Sequence, residues 1–296
     1  MTYVWIAVFA YFLFALNGIA DKFLLTKAVR HPIVYAFYIG VTGPLTWVLA
    51  PFGLKGIGLR DLVIAIIGGG AFVIALYFLY VATRQTSISR LLPIEGGLVP
   101  VFTLVLAYVI LQERLALSQQ IAFGFLVLGA VLIAFKQDKT GWHPKALRNA
   151  AIGALLFALS LSLTKYIFEQ TNFVSGLIWT RIGFFLVSIS FLIPRRSRKY
   201  ILDAPKQTTT GNKFLYYGTR VTGGLAGFLQ NYAISLGSVT IVSGLQGTQY
   251  ALLLVLTAFL SKYHPKILKE KVTGPILAQK ISAIVLITLG LILLSK

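Results

Sequence analysis

The sequence predicts an all-α polytopic membrane protein with ten transmembrane helices, arranged as two inverted five-helix repeats over residues 1–140 and 141–296. Three observations carry this. Hydrophobic residues make up 57% of the 296-residue chain and charged residues only 12%, about half the charged share of an ordinary soluble domain. The apolar residues fall in runs of roughly 18 to 25, the length at which a helix crosses about 30 Å of hydrocarbon. The two halves of the chain also match each other at corresponding spans. Strict period-two alternation is absent, which argues against an outer-membrane barrel.

Taken in order, the apolar runs place spans at 4–24, 32–52, 61–82, 88–111, 118–136, 149–168, 174–193, 214–235, 238–262 and 275–295. The first run opens without a basic leader or a small-residue cleavage site, so it reads as a spanning helix and not as a cleaved signal. Two connections are longer than the rest. One runs from Lys136 to Arg148 and divides the chain nearly in half; the other runs from Arg195 to Lys213. No phosphate-binding loop of the G-x-x-x-x-G-K-[ST] kind occurs, so no ATP-driven motor is expected in this chain.

Other classes recede on composition. Cysteine is absent, and His31, His143 and His264 lie in connections beside proline or basic residues. No metal site, cofactor or catalytic residue is expected. The formal charge of +19 comes from 27 Lys and Arg against 8 acids. They are scattered among the connections, which suits anionic lipid headgroups and not nucleic acid. The expected setting is the cell (inner or plasma) membrane, crossed many times, with the bilayer as partner and a monomer as the simplest assembly. Most of the cations lie in the odd-numbered connections, while the even-numbered ones and the C-terminus hold Lys55, Arg60, Arg114 and Lys296. By the positive-inside rule both termini are then outside.

The internal match is residue by residue. Phe14-Ala15-Leu16 pairs with Phe157-Ala158-Leu159, and at the same offset Lys22 falls on Lys165, Phe23 on Tyr166 and Ile39-Gly40 on Ile182-Gly183. After a small drift, Tyr77 meets Phe228, Gly97 meets Gly247, and Leu104-Val105-Leu106 meets Leu254-Val255-Leu256. Each half holds five spans, an odd number, so the second copy enters the membrane from the opposite side. Secondary carriers have this architecture, with a site at the repeat interface exposed alternately to each side.

The third and fourth spans carry a recognisable pattern. Tyr77-x-x-Tyr80-x-Ala82, Thr86-Ser87-Ile88-Ser89, Pro100-Val101-Phe102, Leu111-Gln112-Glu113-Arg114-Leu115, Gln119-Gln120 and Gly124 resemble the EamA-type branch of the drug/metabolite transporter superfamily. Gln112 stands where that family usually has Gly. In the second half Tyr250 replaces the repeat of Pro100, and the acidic corner Lys269-Glu270-Lys271 comes late, after Pro265. The resemblance implies ten helices and gradient-driven export or exchange without metal. It also implies both termini inside, against the loop charges. The family's substrates include amino acids, drugs, sugar phosphates and nucleotide sugars.

Ionisable groups inside the membrane are functional candidates, because burying them in hydrocarbon costs at least a few kcal/mol. Lys22, Lys165, Arg181, Arg220 and Lys280 are long enough, and near enough to a span end, to reach the interface instead. Threading places Lys22 and Arg220 toward one membrane face, with Lys165 and Arg181 toward the other. Pairs of cations at the two mouths suit either attraction of an anion or alternating gates. Arg220 also heads a stripe of Gly224, Gly227 and Asn231 at helical spacing, where a ligand or another helix could approach. Glu95, two turns into the fourth span, is too short to snorkel far. Proton coupling, substrate contact and an ion pair across the bundle are all open to it.

Asn17, Ser160, Tyr77, Tyr80, Gln230, Asn231, Tyr232, Gln246, Gln249 and Tyr250 are further candidates for a polar, aromatic midplane cavity. The expected substrate-binding set is Asn17, Lys22, Tyr77, Tyr80, Glu95, Lys165, Arg220, Asn231, Gln246, Gln249 and Tyr250. The expected function is secondary export or exchange of a small polar metabolite, amino-acid-like or anionic, coupled to protons or a counter-substrate. A membrane-embedded enzyme acting on a lipid-linked substrate, or a membrane protein without flux, is the alternative.

Overall fold

The computed structural model describes residues 2–27, 31–85, 88–134, 144–204, 210–263 and 274–295. Every regular element among them is helical. In chain order these are α1 (Thr2–Lys27), α2 (Pro32–Gly40), a 3-10 segment (Gly43–Phe52), α3 (Leu59–Gln85), α4 (Ile88–Leu111), α5 (Leu117–Ala134) and α6 (Pro144–Gln170). They continue with α7 (Phe173–Ser190), α8 (Arg195–Asp203), α9 (Thr210–Leu236), α10 (Val239–Gly244), α11 (Gln246–Tyr263) and α12 (Gly274–Ser295). Four stretches, Pro32–Phe52, Leu59–Gln85, Pro144–Gln170 and Phe173–Ser190, are long and apolar enough to cross a membrane, and four shorter apolar helices accompany them. Helices satisfy their own backbone polar groups, which is what lipid requires. Large apolar side chains such as Trp5, Val105, Leu128 and Val285 are at least half exposed. Such a surface belongs against acyl chains.

The sequence boundaries hold to within a few residues except in three places. The second span is not one α-helix: α2 stops at Gly40 and the chain continues as the 3-10 segment. Pro44 supplies no N–H and its ring crowds the carbonyl four residues back, which favours a break here, although α4 runs on through Pro93 and Pro100. The ninth span is broken at Leu245, which separates α10 from α11. Hydroxyls that bond back to the preceding turn bend helices, and two bracket this point: Ser243 Oγ donates to the Thr240 carbonyl (2.8 Å) and Thr248 Oγ1 to the Leu245 carbonyl (2.7 Å). The connection after the seventh span holds a helix, the strongly amphipathic α8. Ile201 faces inward at 1% exposure, the Tyr38 hydroxyl donates to its carbonyl (3.2 Å), and His31 stacks on Tyr200 at 3.7 Å. The boundary at 140/141 and the corner Lys269-Glu270-Lys271 lie outside the described residues.

The bundle packs through small residues, as helices in lipid do. Gly68, Gly69 and Gly70 of α3 bring its backbone against α6 and α7. A Cβ at Gly69 would collide with the Thr180 carbonyl, and one at Gly183 with the Ile66 carbonyl. Fully buried alanines, among them Ala7, Ala75, Ala82, Ala150, Ala154 and Ala158, serve the same purpose elsewhere. The principal packed pairs are α3–α6, α3–α7, α1–α9, α4–α6 and α5–α12.

One end of the bundle is latched by hydrogen bonds between the first and second halves. Asn172 Nδ2 donates to the Gly53 carbonyl (2.9 Å), the Lys55 amide to Ser175 Oγ (2.8 Å) and Trp179 Nε1 to the Lys55 carbonyl (2.9 Å). At the same end Ser238 donates a short bond to the Glu113 carboxylate while accepting from the Ile241 amide (2.9 Å) as the N-cap of α10. Gln112, at the turn between α4 and α5, adopts φ 53, the left-handed conformation that favours glycine.

Candidate functional site

Between the halves lies a cavity of about 280 Å³, roughly the room of nine waters at about 30 Å³ each. Helices α1, α3 and α4 line it from the first half, and α6, α9, α10 and α11 from the second. Its aromatic wall is Tyr11, Phe14, Phe72, Tyr80 and Phe157, and its polar groups are Thr83, Glu95, Gln230, Ser243, Gln246 and Gln249. Leu76, Leu79, Val99 and Leu161 fill the rest. Thr83 lies in the last turn of α3, so the cavity reaches toward the end opposite the latch.

Local structure fixes several of these groups. The Tyr11 hydroxyl donates to the Val242 carbonyl (2.9 Å) and accepts from Gln230 Nε2 (3.1 Å), which ties α1 to both α9 and α10. Val242 lies in α10, three residues before the break at Leu245, and Ser243 and Gln246 on either side of that break both line the space. Gln246 Nε2 donates to the Tyr250 hydroxyl (3.1 Å) one turn on. The Tyr250 ring lies against Gly96 so closely that a Cβ there would come within 2.6 Å of it. Glu95 is therefore carried on a stretch of α4 that has given up side-chain volume to admit Tyr250. Glu95 is the one charged residue on the cavity wall among the described residues. No hydrogen-bond donor or cation pairs with it there.

Of the residues singled out from sequence, Tyr80, Glu95, Gln246 and Gln249 come together at the cavity, with Gln230 beside them and Tyr250 one hydrogen bond behind. The others stand apart. Asn17 accepts a short bond from the Thr222 hydroxyl and joins α1 to α9. Tyr77 packs toward Phe191, the C-cap of α7, with ring centroids 6.1 Å apart. Lys165 pairs with Glu169 one turn along α6 at 3.4 Å. Asn231 Nδ2 donates to its own helix at the Gly227 carbonyl (2.7 Å). Tyr232 packs on Phe173 at 5.1 Å. The Lys22 side chain lies outside the described residues.

The two arginines meet aromatic rings. The Arg220 guanidinium sits 5.1 Å from the Tyr35 ring centre, and Tyr35 lies 5.0 Å from the cavity's Tyr80. Arg181 sits 4.0 Å over Phe184, which stacks at 4.6 Å on the cavity's Phe72. Both cations thus stand behind rings and off the cavity wall. Among the described residues no atom lies within 4 Å of where a Cβ would stand at Gly224 or Gly227. Tyr11, Phe14, Phe72, Thr83, Phe157 and Ser243 were not legible as site residues, since apolar and hydroxyl side chains in a spanning run look alike whichever way they face.

No family model matches the chain, and no curated protein matches it. Among solved structures 29 chains match. One of them, described only as the crystal structure of a protein, superposes with a TM-score of 0.69 over 99% of this chain and 98% of its own, at 16% identity. At that identity the likeness establishes a shared fold and nothing about chemistry.

Proposed function

We propose that the chain is a secondary carrier, of the EamA type that its third and fourth spans resemble. In this reading ten spans form two inverted five-helix repeats, and a small polar solute binds in the Glu95 cavity for alternating export or exchange. The observation that carries the proposal is the cavity itself: helices of both halves line it, and it holds one carboxylate, amid aromatic walls, with no ion-pair or hydrogen-bond partner among the described residues. A buried charge without a partner is costly, so its retention argues for a ligand, a proton or both.

Packing supports the repeat. The pairing of α3 with α6 has its counterpart, shifted by five spans, in α9 with α1, and that of α4 with α6 in α11 with α1. The pairings α5–α12, α2–α7 and α4–α10 map onto themselves under the same shift. This is the pattern a pseudo-twofold axis generates. The latched end and the opposite reach of the cavity fit a state with access from one side.

The test begins with solute-dependent thermal stabilisation of the purified chain in detergent, across amino acids, sugar phosphates and amines. Counterflow of a stabilising solute into proteoliposomes follows. A carrier moves that solute above the level of empty liposomes, and Glu95→Gln lowers the flux at least tenfold. Solutes that bind but never cross, or flux indifferent to Glu95→Gln, would defeat the reading.

A further inference from the structure

We propose that the solute taken by this cavity is a small organic cation, an ammonium carried on an apolar or aromatic body, with Glu95 as its counter-ion. This deepens the carrier reading and rests on it for the meaning of the cavity. The expectation of an anionic or amino-acid-like solute came from membrane cations outnumbering acids, and the positions of Lys165, Arg181 and Arg220 argue against it. Lys165 is neutralised by Glu169. Arg181 and Arg220 are separated from the space by Phe184 with Phe72 and by Tyr35 with Tyr80. An anion entering the cavity would meet Glu95 with no cation on the wall among the described residues. A cation would meet a carboxylate at contact distance.

The rest of the wall fits the same chemistry. Rings carry a negative face that attracts a desolvated ammonium, most of all when several surround it. Five aromatic residues from α1, α3 and α6 line a space of about 280 Å³. The chain already places guanidinium groups over aromatic rings, Arg181 over Phe184 at 4.0 Å and Arg220 over Tyr35 at 5.1 Å among them. Gln230, Gln246 and Gln249 supply side-chain carbonyl oxygens that accept from an N–H donor. The two guanidinium groups behind the rings repel a cation. Coulomb energy falls as the inverse of distance, so Glu95 in contact outweighs groups set back by a ring or two. A zwitterion gains the same contact but brings a carboxylate that meets only neutral amide and hydroxyl donors, with no cation on the wall among the described residues to offset its repulsion by Glu95. The amine is therefore preferred to the amino acid of the same body.

Phenethylamine, phenylalanine and phenethyl alcohol separate these cases, since they share one ring and differ in charge. Binding is measured calorimetrically to the full chain in neutral detergent, with tetramethylammonium and choline as further cations. We expect phenethylamine to bind at least tenfold tighter than phenylalanine or the alcohol. In Glu95→Gln that preference should disappear while affinity for the alcohol stays within a factor of three, and Glu95→Asp should retain part of it. The retained alcohol binding and an unchanged elution profile show that the Gln variant is folded; if it is not, the Asp variant decides alone. Equal or tighter binding of phenylalanine overturns the proposal, as does a cation preference that survives Glu95→Gln. Absence of binding by every cation at millimolar concentration overturns it as well. The carrier reading fails separately. An amine that binds through Glu95 yet shows no counterflow defeats transport and leaves the ligand class standing, whereas counterflow of an anion does the reverse.

Discussion

Gln112 shows what a single position reveals when sequence and geometry are combined. It stands where the resembled family has Gly, and the structure puts it at φ 53, a region that costs an ordinary residue about 1–2 kcal/mol. Its side chain offsets part of this by donating to the Val109 carbonyl (3.2 Å). Gln112→Val, a β-branched residue with no such bond, should lower stability by about 1–2 kcal/mol, read as a fall in the thermal midpoint in detergent. Gln112→Gly should hold or raise that midpoint, because relief of strain offsets the greater freedom of the unfolded glycine. A Val variant as stable as the parent would show that the turn does not need its left-handed residue. The site was legible at this scale only where chemistry stands out in a spanning run. Glu95, Gln246 and Gln249 announce themselves as polar groups that lipid would reject. Lys165 and Arg220 announce themselves equally, yet one turns to Glu169 and the other to Tyr35, because residue type gives polarity and not the neighbour across the bundle.

Among the elements, the apolar helices were legible because length and apolar content are local properties, and the breaks were not because they arise from particular bonds. Pro44 was visible in the second span, but proline is tolerated in membrane helices often enough that it does not by itself end one. The break at Leu245 needs the back-bonding hydroxyls of Ser243 and Thr248 together with the Tyr11 bond to Val242, and the last of these crosses the whole chain. The short α10 that results depends on its cap. Ser238 accepts from the Ile241 amide and donates to Glu113, so one hydroxyl both starts a helix and closes the latched end. Ser238→Ala should cost about 1–2 kcal/mol from the lost cap and the stranded carboxylate. Ser238→Thr should keep both bonds, and Ser238→Asp should keep the cap while setting two carboxylates against each other. Thermal midpoints in the order parent and Thr, then Ala, then Asp would bear this out. An Asp variant equal to the parent would show that Glu113 and Ser238 are not coupled.

In the whole molecule the helix pairings of the first half correspond to those of the second but differ in closeness, and under the proposed carrier function such an inequality is expected of one state of the cycle. The seam between α3 and α7 is shut by Gly69, Gly70 and Gly183, where no side chain fits. The corresponding pair under the proposed repeat is α9 with α2, which has no comparable packing among the described residues. On α9, Gly218, Gly224 and Gly227 face open space, and Arg220 bridges the gap to Tyr35. If transport exchanges the two arrangements, the α9 stripe is the seam that shuts when the α3 seam opens. The stripe then has a requirement for small residues that this state does not display. Gly183→Val should destabilise the present state at once, by about 1–3 kcal/mol, because its Cβ meets the Ile66 backbone. Gly224→Val and Gly227→Val should leave the thermal midpoint unchanged within about 0.5 kcal/mol, as expected of substitutions into open space, and should leave ligand affinity in detergent intact. The same variants should lower counterflow at least tenfold, since the opposite seam can no longer close. Full flux in both would mean that the stripe faces lipid throughout the cycle, and the two seams would not then be exchanged by transport.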